Sequence, residues 1–172
     1  RKVSSNKKAQ IRQSKLTDLN KIKGQLVLVD GYNVLITSES VLYHEKGVLE
    51  SDDGVLRDVK GIFGKYKPHQ HTENTLNILL ETLKAENPRE IFFFYDSPVS
   101  LSGELAQLTR NIMDDKNIPG SAFTHRQVDF ELIKSGQKEG SVVATSDGPL
   151  IDRLKRVVDI PRSIKEKINS NI

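Results

Sequence analysis

The sequence predicts a three-layer α/β/α domain on a mainly parallel sheet of about five strands, and three observations lead there. Apolar runs of strand length recur along the chain, as at residues 26–29, 91–95 and 142–146. Between them lie stretches with apolar residues at helical spacing, and parallel neighbours need such an intervening element to return the chain. Finally, no apolar run approaches the roughly 20 residues of a membrane helix, and no secretory signal is visible. A length of 172 residues suits one ordinary domain. The absence of cysteine excludes disulfides, thiolate metal sites and cysteine nucleophiles, and fits a reducing, cytoplasmic setting without membrane attachment.

Residues 1–24 hold eight Lys or Arg (Arg1, Lys2, Lys7, Lys8, Arg12, Lys15, Lys21, Lys23) against Asp18, a net +7; with +3 for the whole chain, residues 25–172 carry −4. The first stretch is expected to be a basic N-terminal arm or linker, and residues 25–172 the α/β domain. A basic arm can hold a polyanion through counterion release; the competing reading is a solvated segment. Ile11, Leu16, Leu19 and Ile22 loosely follow a helical stripe.

Residues 26–30 read as a buried strand. The region that follows, with Gly47, Asp52, Asp53, Gly54, Gly61 and Gly64, is poorly patterned, and a loop with a short helix at 55–63 fits it. Thr72 is the expected N-cap of a helix in which Leu76, Leu79, Leu80 and Leu83 fall at i, i+3, i+4 and i+7, ended by Asn87-Pro88. Residues 91–95 are the second strand. Leu101, Leu105, Leu108, Ile112 and Met113 mark a helix that closes near Asn117, before Pro119-Gly120. A short third strand is expected at 121–124, a helix from about Asp129 and a fourth strand at 141–146. A helix at 149–156 and a fifth strand at 157–160 complete the reading.

In a parallel sheet the strands share one direction, and ligands gather beyond their carboxyl ends. Three strands run into Asp30, Asp96 and Asp147. One such aspartate is ordinarily a turn residue or helix cap. Three on one sheet edge repel and raise each other's pKa, and a divalent cation is the usual remedy. Asp129, at a helix start, supplies a fourth carboxylate.

The order Asp-Gly-Tyr-Asn after the first strand, Phe-Tyr-Asp at the end of another, Val-Asp-Phe-Glu-Leu-Ile on a helix and Ala-Thr-Ser-Asp after a later strand resembles the NYN branch of PIN-like nuclease domains across residues 26–160. The segments "DGYNVLIT", "DDGVLRD", "FGKY", "DSPVSLSGEL" and "ATSDGPLIDR" more closely resemble an archaeal family of uncharacterised proteins with this PIN-like domain, often preceded by a small N-terminal domain. A chain that starts at Arg1 then suits a piece that lacks the smaller domain. The resemblance implies metal-dependent phosphodiester hydrolysis, usually of RNA, by an endoribonuclease. Mg2+ or Mn2+ takes hard oxygen ligands, activates water and neutralises charge on phosphate. Asp30, Asp96 and Asp147 are the expected metal ligands, direct or through water, with Asp129 and Asn33 completing the catalytic set. The coupled carboxylates titrate as a unit, so the base stays unassigned.

Other residues carry two readings each. Gly31 either admits a phosphate to the backbone or simply makes the turn. Asn33 orients a water or donates to phosphate, or caps a turn. Ser146 is expected to hold Asp147. By the resemblance, Asp52, Asp53 and Glu104 are additional site candidates; by composition they belong to a polar loop and a helix start. Arg57, Arg126 and Arg153 suit bidentate phosphate contacts, with ion pairing as the default. His69 and His71 lack two further ligands for zinc. The net acidic body and few aromatic residues depart from the basic RNA-binding surface common among such nucleases, so RNA contact is expected through the basic arm or an additional domain. Alternatives are a noncatalytic RNA- or ribosome-associated module and a phosphatase or nucleotide-binding domain. The last is disfavoured because Tyr32 stands where Asp-x-Asp phosphatases need an acid and Gly31 has no Gly-x-Gly-x-x-Gly companions. The sequence leaves the oligomeric state open.

Overall fold

The computed structural model describes residues 6–43, 48–58 and 63–170. A helix α1 (Asn6–Lys15) precedes strand β1 (Leu26–Asp30), helix α2 (Gly31–Tyr43) and a hairpin of β2 (Val48–Glu50) and β3 (Leu56–Asp58). There follow α3 (Thr72–Lys84), β4 (Glu90–Asp96), α4 (Ser102–Asp115), β5 (Gly120–His125) and α5 (Val128–Gly136). The chain continues with β6 (Ser141–Ala144), α6 (Gly148–Ile151), β7 (Val157–Val158) and α7 (Ile160–Ser170).

Five strands form one sheet in the order β5-β4-β1-β6-β7, and every pairing in it is parallel. The protein is thus a three-layer α/β/α domain. Central β1 is apolar throughout until Asp30 because both its faces are covered. Val27, Val29, Ile91, Phe93 and Tyr95 belong to the larger core with residues of α2, α3, α4 and α7; Leu28, Phe94 and Val143 face Val128 and Leu132 of α5 and Leu150 and Ile151 of α6. The chain steps outward from β1 through β4 to β5, then resumes on the other side of β1 with β6 and β7. This reversal of strand order puts a topological switch point beside the carboxyl end of β1, where open α/β sheets bind ligands.

Several elements differ from the sequence expectation. The stretch after β1 is not loop at first: α2 is a helix whose residues are buried at nearly every position from Gly31 to Val41. A helix enclosed on all sides has no polar face, so no amphipathic stripe announces it. The helix expected at 55–63 gives way to β3, whose Leu56 N donates to buried Asp159 Oδ2 at 2.9 Å; residues 59–62 of that expectation lie outside the described residues. Thr72 begins α3 rather than capping it, and its Oγ1 accepts from His69 N at 2.9 Å. Strand β6 stops at Ala144 because residues 145 and 146 turn their polar groups to the site. The expected helix at 149–156 is only the four-residue α6, ended by Arg153 N and Leu154 N bonding back three residues. The fifth strand is two residues long, for Asp159 Oδ1 accepts from Arg162 N and starts α7.

The described part of the basic stretch packs along the domain. Ala9, Arg12 and Ile22 are buried, Leu16 bridges Val157, and Thr17 N donates to Val157 O at 2.7 Å. Among the described residues no helix is long and apolar enough to cross a membrane.

Candidate functional site

Asp30 ends β1, Asp96 ends β4, Asp147 caps α6 just past β6, and Asp129 lies in the first turn of α5. All four line one cavity of about 490 Å³, together with Asn33 of α2 and Arg126, Gln127, Val128 and Phe130. The structure therefore brings the five expected catalytic residues to one place.

Asp30 is the deepest, only 4% exposed. Burial, and then the charges of Asp129, Asp96 and Asp147, push its pKa up to about 8 against one opposing hydrogen bond from Thr145. Asp96 is raised by burial and by Asp129; Asp129 is raised by burial and by Asp147. Asp96 Oδ2 is buried with no hydrogen-bond donor, an acceptor left without the partner such atoms normally have.

Two polar side chains organise this edge. Thr145 Oγ1 donates to Asp30 Oδ2 at 2.7 Å and accepts from Asp147 N at 3.1 Å, tying two of the carboxylate residues together. The sequence points to Ser146 for this role, whereas Thr145 fills it. Ser146 instead donates through N and Oγ to Asn33 Oδ1, at 2.8 and 3.0 Å. The signal was the register: Leu28 opposes Val143 and Val29 opposes Ala144, so one further step sets Thr145 opposite Asp30. Because Asn33 Oδ1 is engaged by Ser146, its Nδ2 donors are left for the cavity.

The outlying candidates have other places. Asp53 is 1% exposed and binds Arg57 bidentately, Nη1 to Oδ1 at 2.9 Å and Nη2 to Oδ2 at 2.7 Å, with Arg12 Nη1 at 3.4 Å. Burial pushes its carboxyl up, but the bonds and charge of Arg57 hold it below the ordinary value. Arg57 also donates from Nε to Ser146 O at 2.6 Å, so it braces the loop that carries Asp147 from behind and does not line the cavity. Arg12 continues the chain of contacts: its Nε and Nη2 bind Asp152 at 2.7 and 2.8 Å. Its guanidinium passes so close to Gly148 that a Cβ there would meet Nη1 at 2.6 Å. Asp52 accepts from Gln13 through its backbone oxygen. Glu104, exposed on α4, and Arg153, exposed after α6, lie off the cavity lining. Arg126 alone of the three arginines is on the lining, exposed to solvent. His69 bonds Glu39 at 2.6 Å and His71 stacks on Tyr43.

The cavity's acidic donors are all oxygen, which suits Mg2+ or Mn2+. A cation would meet both the buried acceptor of Asp96 and the crowded charge around Asp30. Among the described residues no three His, Asp or Glu side chains are grouped to hold a metal directly. An ion here would thus rely on one or two carboxylates and water, as Mg2+ commonly does.

An open parallel α/β sheet with a carboxylate-lined cavity at its switch point defines the class. The chain belongs to the family described as a domain of unknown function, DUF5616, which matches residues 19–163. It is also similar to "Uncharacterized protein MJ0935" of Methanocaldococcus jannaschii, 36% identical over 162 residues, covering 93% of this chain and 74% of that protein. No solved structure matches the chain.

Proposed function

We propose that the protein is a cytoplasmic, divalent-metal-dependent ribonuclease of the NYN or PIN-like kind that hydrolyses RNA phosphodiesters at this cavity. The observation that carries the reading is the meeting of Asp30, Asp96, Asp129 and Asp147 on one cavity, with Asp30 buried and its charge opposed by the others. Asp30, Asp96 and Asp147 would hold the ion, Mg2+ or Mn2+, one or two of them directly and the rest through water. When bound, it supplies an activated water and neutralises charge developing on the phosphate. Asn33 Nδ2 donates to a phosphate oxygen, oriented by Ser146 on its other side. Arg126, exposed on the lining, meets the incoming backbone as a cation. The start of α2 at Gly31 adds the positive end of a helix beside Asp30, which favours an anion.

One observation favours a second reading. With no three acidic side chains grouped to hold a metal directly among the described residues, the cavity also suits a noncatalytic RNA-associated module. Labelled single-stranded and structured RNAs incubated with Mg2+ or Mn2+ separate the two. Cleavage is expected with wild type, abolished by chelation, and reduced about 100-fold or more in both Asp30→Asn and Asp147→Asn. Equal cleavage by wild type and both variants would overturn the assignment. Tight binding with no cleavage under either metal would select the module.

A further inference from the structure

We propose that the sheet edge next to the carboxylate cavity is a stacking shelf for an unpaired base of single-stranded RNA, with Phe123 as its exposed ring, backed by half-buried Phe92 and buried Phe94. The inference rests on the ribonuclease reading for its ligand and extends it to a second site. Strand register places Phe92 and Phe94 of β4 opposite Ser121 and Phe123 of β5. Side chains alternate along a strand, so Phe92, Phe94 and Asp96 share one face. Asp30 opposes Phe94 on that face. Phe94 is thus two residues, about 6.6 Å of strand, from the carboxylate at the strand's end.

This face is only partly roofed. Helix α5 lies over β1 and β6 and reaches β4 lightly, which leaves Phe123 of edge strand β5 43% exposed. The ring of Phe123 lies 5.9 Å from Phe92 and 5.8 Å from Phe94, tilted 39° and 31° to them. Together with Leu28 and His125 they line a hollow of about 450 Å³, within the size range of small-ligand sites. Phe130, 60% exposed, stands on the cavity side of the same region. Two cations bear on the occupant. Arg126 lines the cavity at the carboxyl ends of the strands, and Lys138 lines the hollow just before β6 begins. The acid on this lining, Glu131, accepts from Ser135 and lies 3.8 Å from His125. Arg126 and Lys138 can meet the phosphates on either side of a stacked base, while Glu131 and the four neighbouring aspartates keep the rest of this surface acidic.

A second copy of the chain fits less well. Arg110 Nη1 already donates to Ala122 O of the edge strand at 2.6 Å, which blunts strand pairing there. Among the described residues, Phe123 and Phe130 are the exposed large apolar residues on this side, a small number for an interface of the roughly 800 Å² per partner that stable association needs.

The test is a short single-stranded RNA carrying 2-aminopurine, whose fluorescence is quenched by stacking. It is titrated with wild type in metal-free buffer and, in Mg2+, with proteins carrying Asp30→Asn so that cleavage does not intervene. Quenching is expected in both settings. Phe123→Leu and Phe123→Ala, checked for folding by circular dichroism, should lose the quench and bind about fivefold or more weakly. Ile168→Ala, which trims an exposed apolar residue of α7, should change neither. Unquenched RNA with wild type, or a quench and Kd kept by folded Phe123→Leu, would overturn the shelf. Dimerisation that Phe123→Leu abolishes, seen in sedimentation, would give the face to a second copy and also overturn it. RNA cleavage with the quench unaffected by Phe123 variants would remove the shelf and leave the nuclease. Loss of quench in those variants without cleavage under any metal would do the reverse.

Discussion

Asp30 and Asp159 are two buried carboxylates whose environments oppose ionisation for different ends. Asp30 sits among like charges at the cavity, whereas Asp159 serves the backbone, accepting from Leu56 N and Arg162 N. Burial pushes Asp159 up to about 6 against those bonds and the nearby arginines. Its folded pKa thus exceeds the ordinary 3.8, so between these values the native state keeps a proton that the unfolded chain releases. The contribution is fully present below about pH 4 and is lost as pH rises through about 6, on the order of 3 kcal/mol. Urea denaturation of wild type and Asp159→Asn from pH 4 to 7 should show a stability difference that shifts in favour of the variant across that window and is level above it. A difference independent of pH would show that Asp159 does not titrate there. Neither residue's burial is visible in the sequence, but Asp30 could be singled out by its place at a strand end. Asp159, inside an expected strand, could not.

At the scale of elements, periodicity found what had a wet side and missed what did not. The leucines of α3 and α4 mark amphipathic faces, and both helices are where the spacing puts them. Helix α2 has no such side, and α7 carries a readable row, Ile160, Ile164 and Ile168, of which the expected fifth strand claimed only the first. Gly31 joins β1 to α2 and shows what the packing demands. A Cβ at Gly31 would stand 2.5 Å from the Tyr95 ring and 2.7 Å from Phe94 O. Tyr95 is fully buried and bonded through its hydroxyl to Thr109 at 2.8 Å, so it has little room to yield. Glycine is therefore needed here for helix-against-strand contact. Gly31→Ala should cost about 1–3 kcal/mol, a fall in Tm of about 2–4 °C per kcal/mol; an unchanged melting curve would contradict this packing.

Across the whole molecule, the aspartates at strand ends made the site legible because parallel topology turns positions in sequence into one edge in space. The brace behind the site was not legible, since it joins Arg12, Asp53, Arg57, Ser146 and Asp152 from three distant stretches. No local pattern records which of many charged residues will meet. Arg57→Ala would leave Asp53 buried with a weaker partner and should destabilise the fold by about 3 kcal/mol, with faster hydrogen exchange at Ser146 and Asp147. Denaturation and exchange matching wild type would show that the brace is idle. The family match begins at Leu19, and α1 with Arg12 comes before it. A chain trimmed to the shared span would keep every carboxylate of the cavity. It would lose the guanidinium that fills the space against Gly148, and with it part of what makes the Asp147 loop hold one shape.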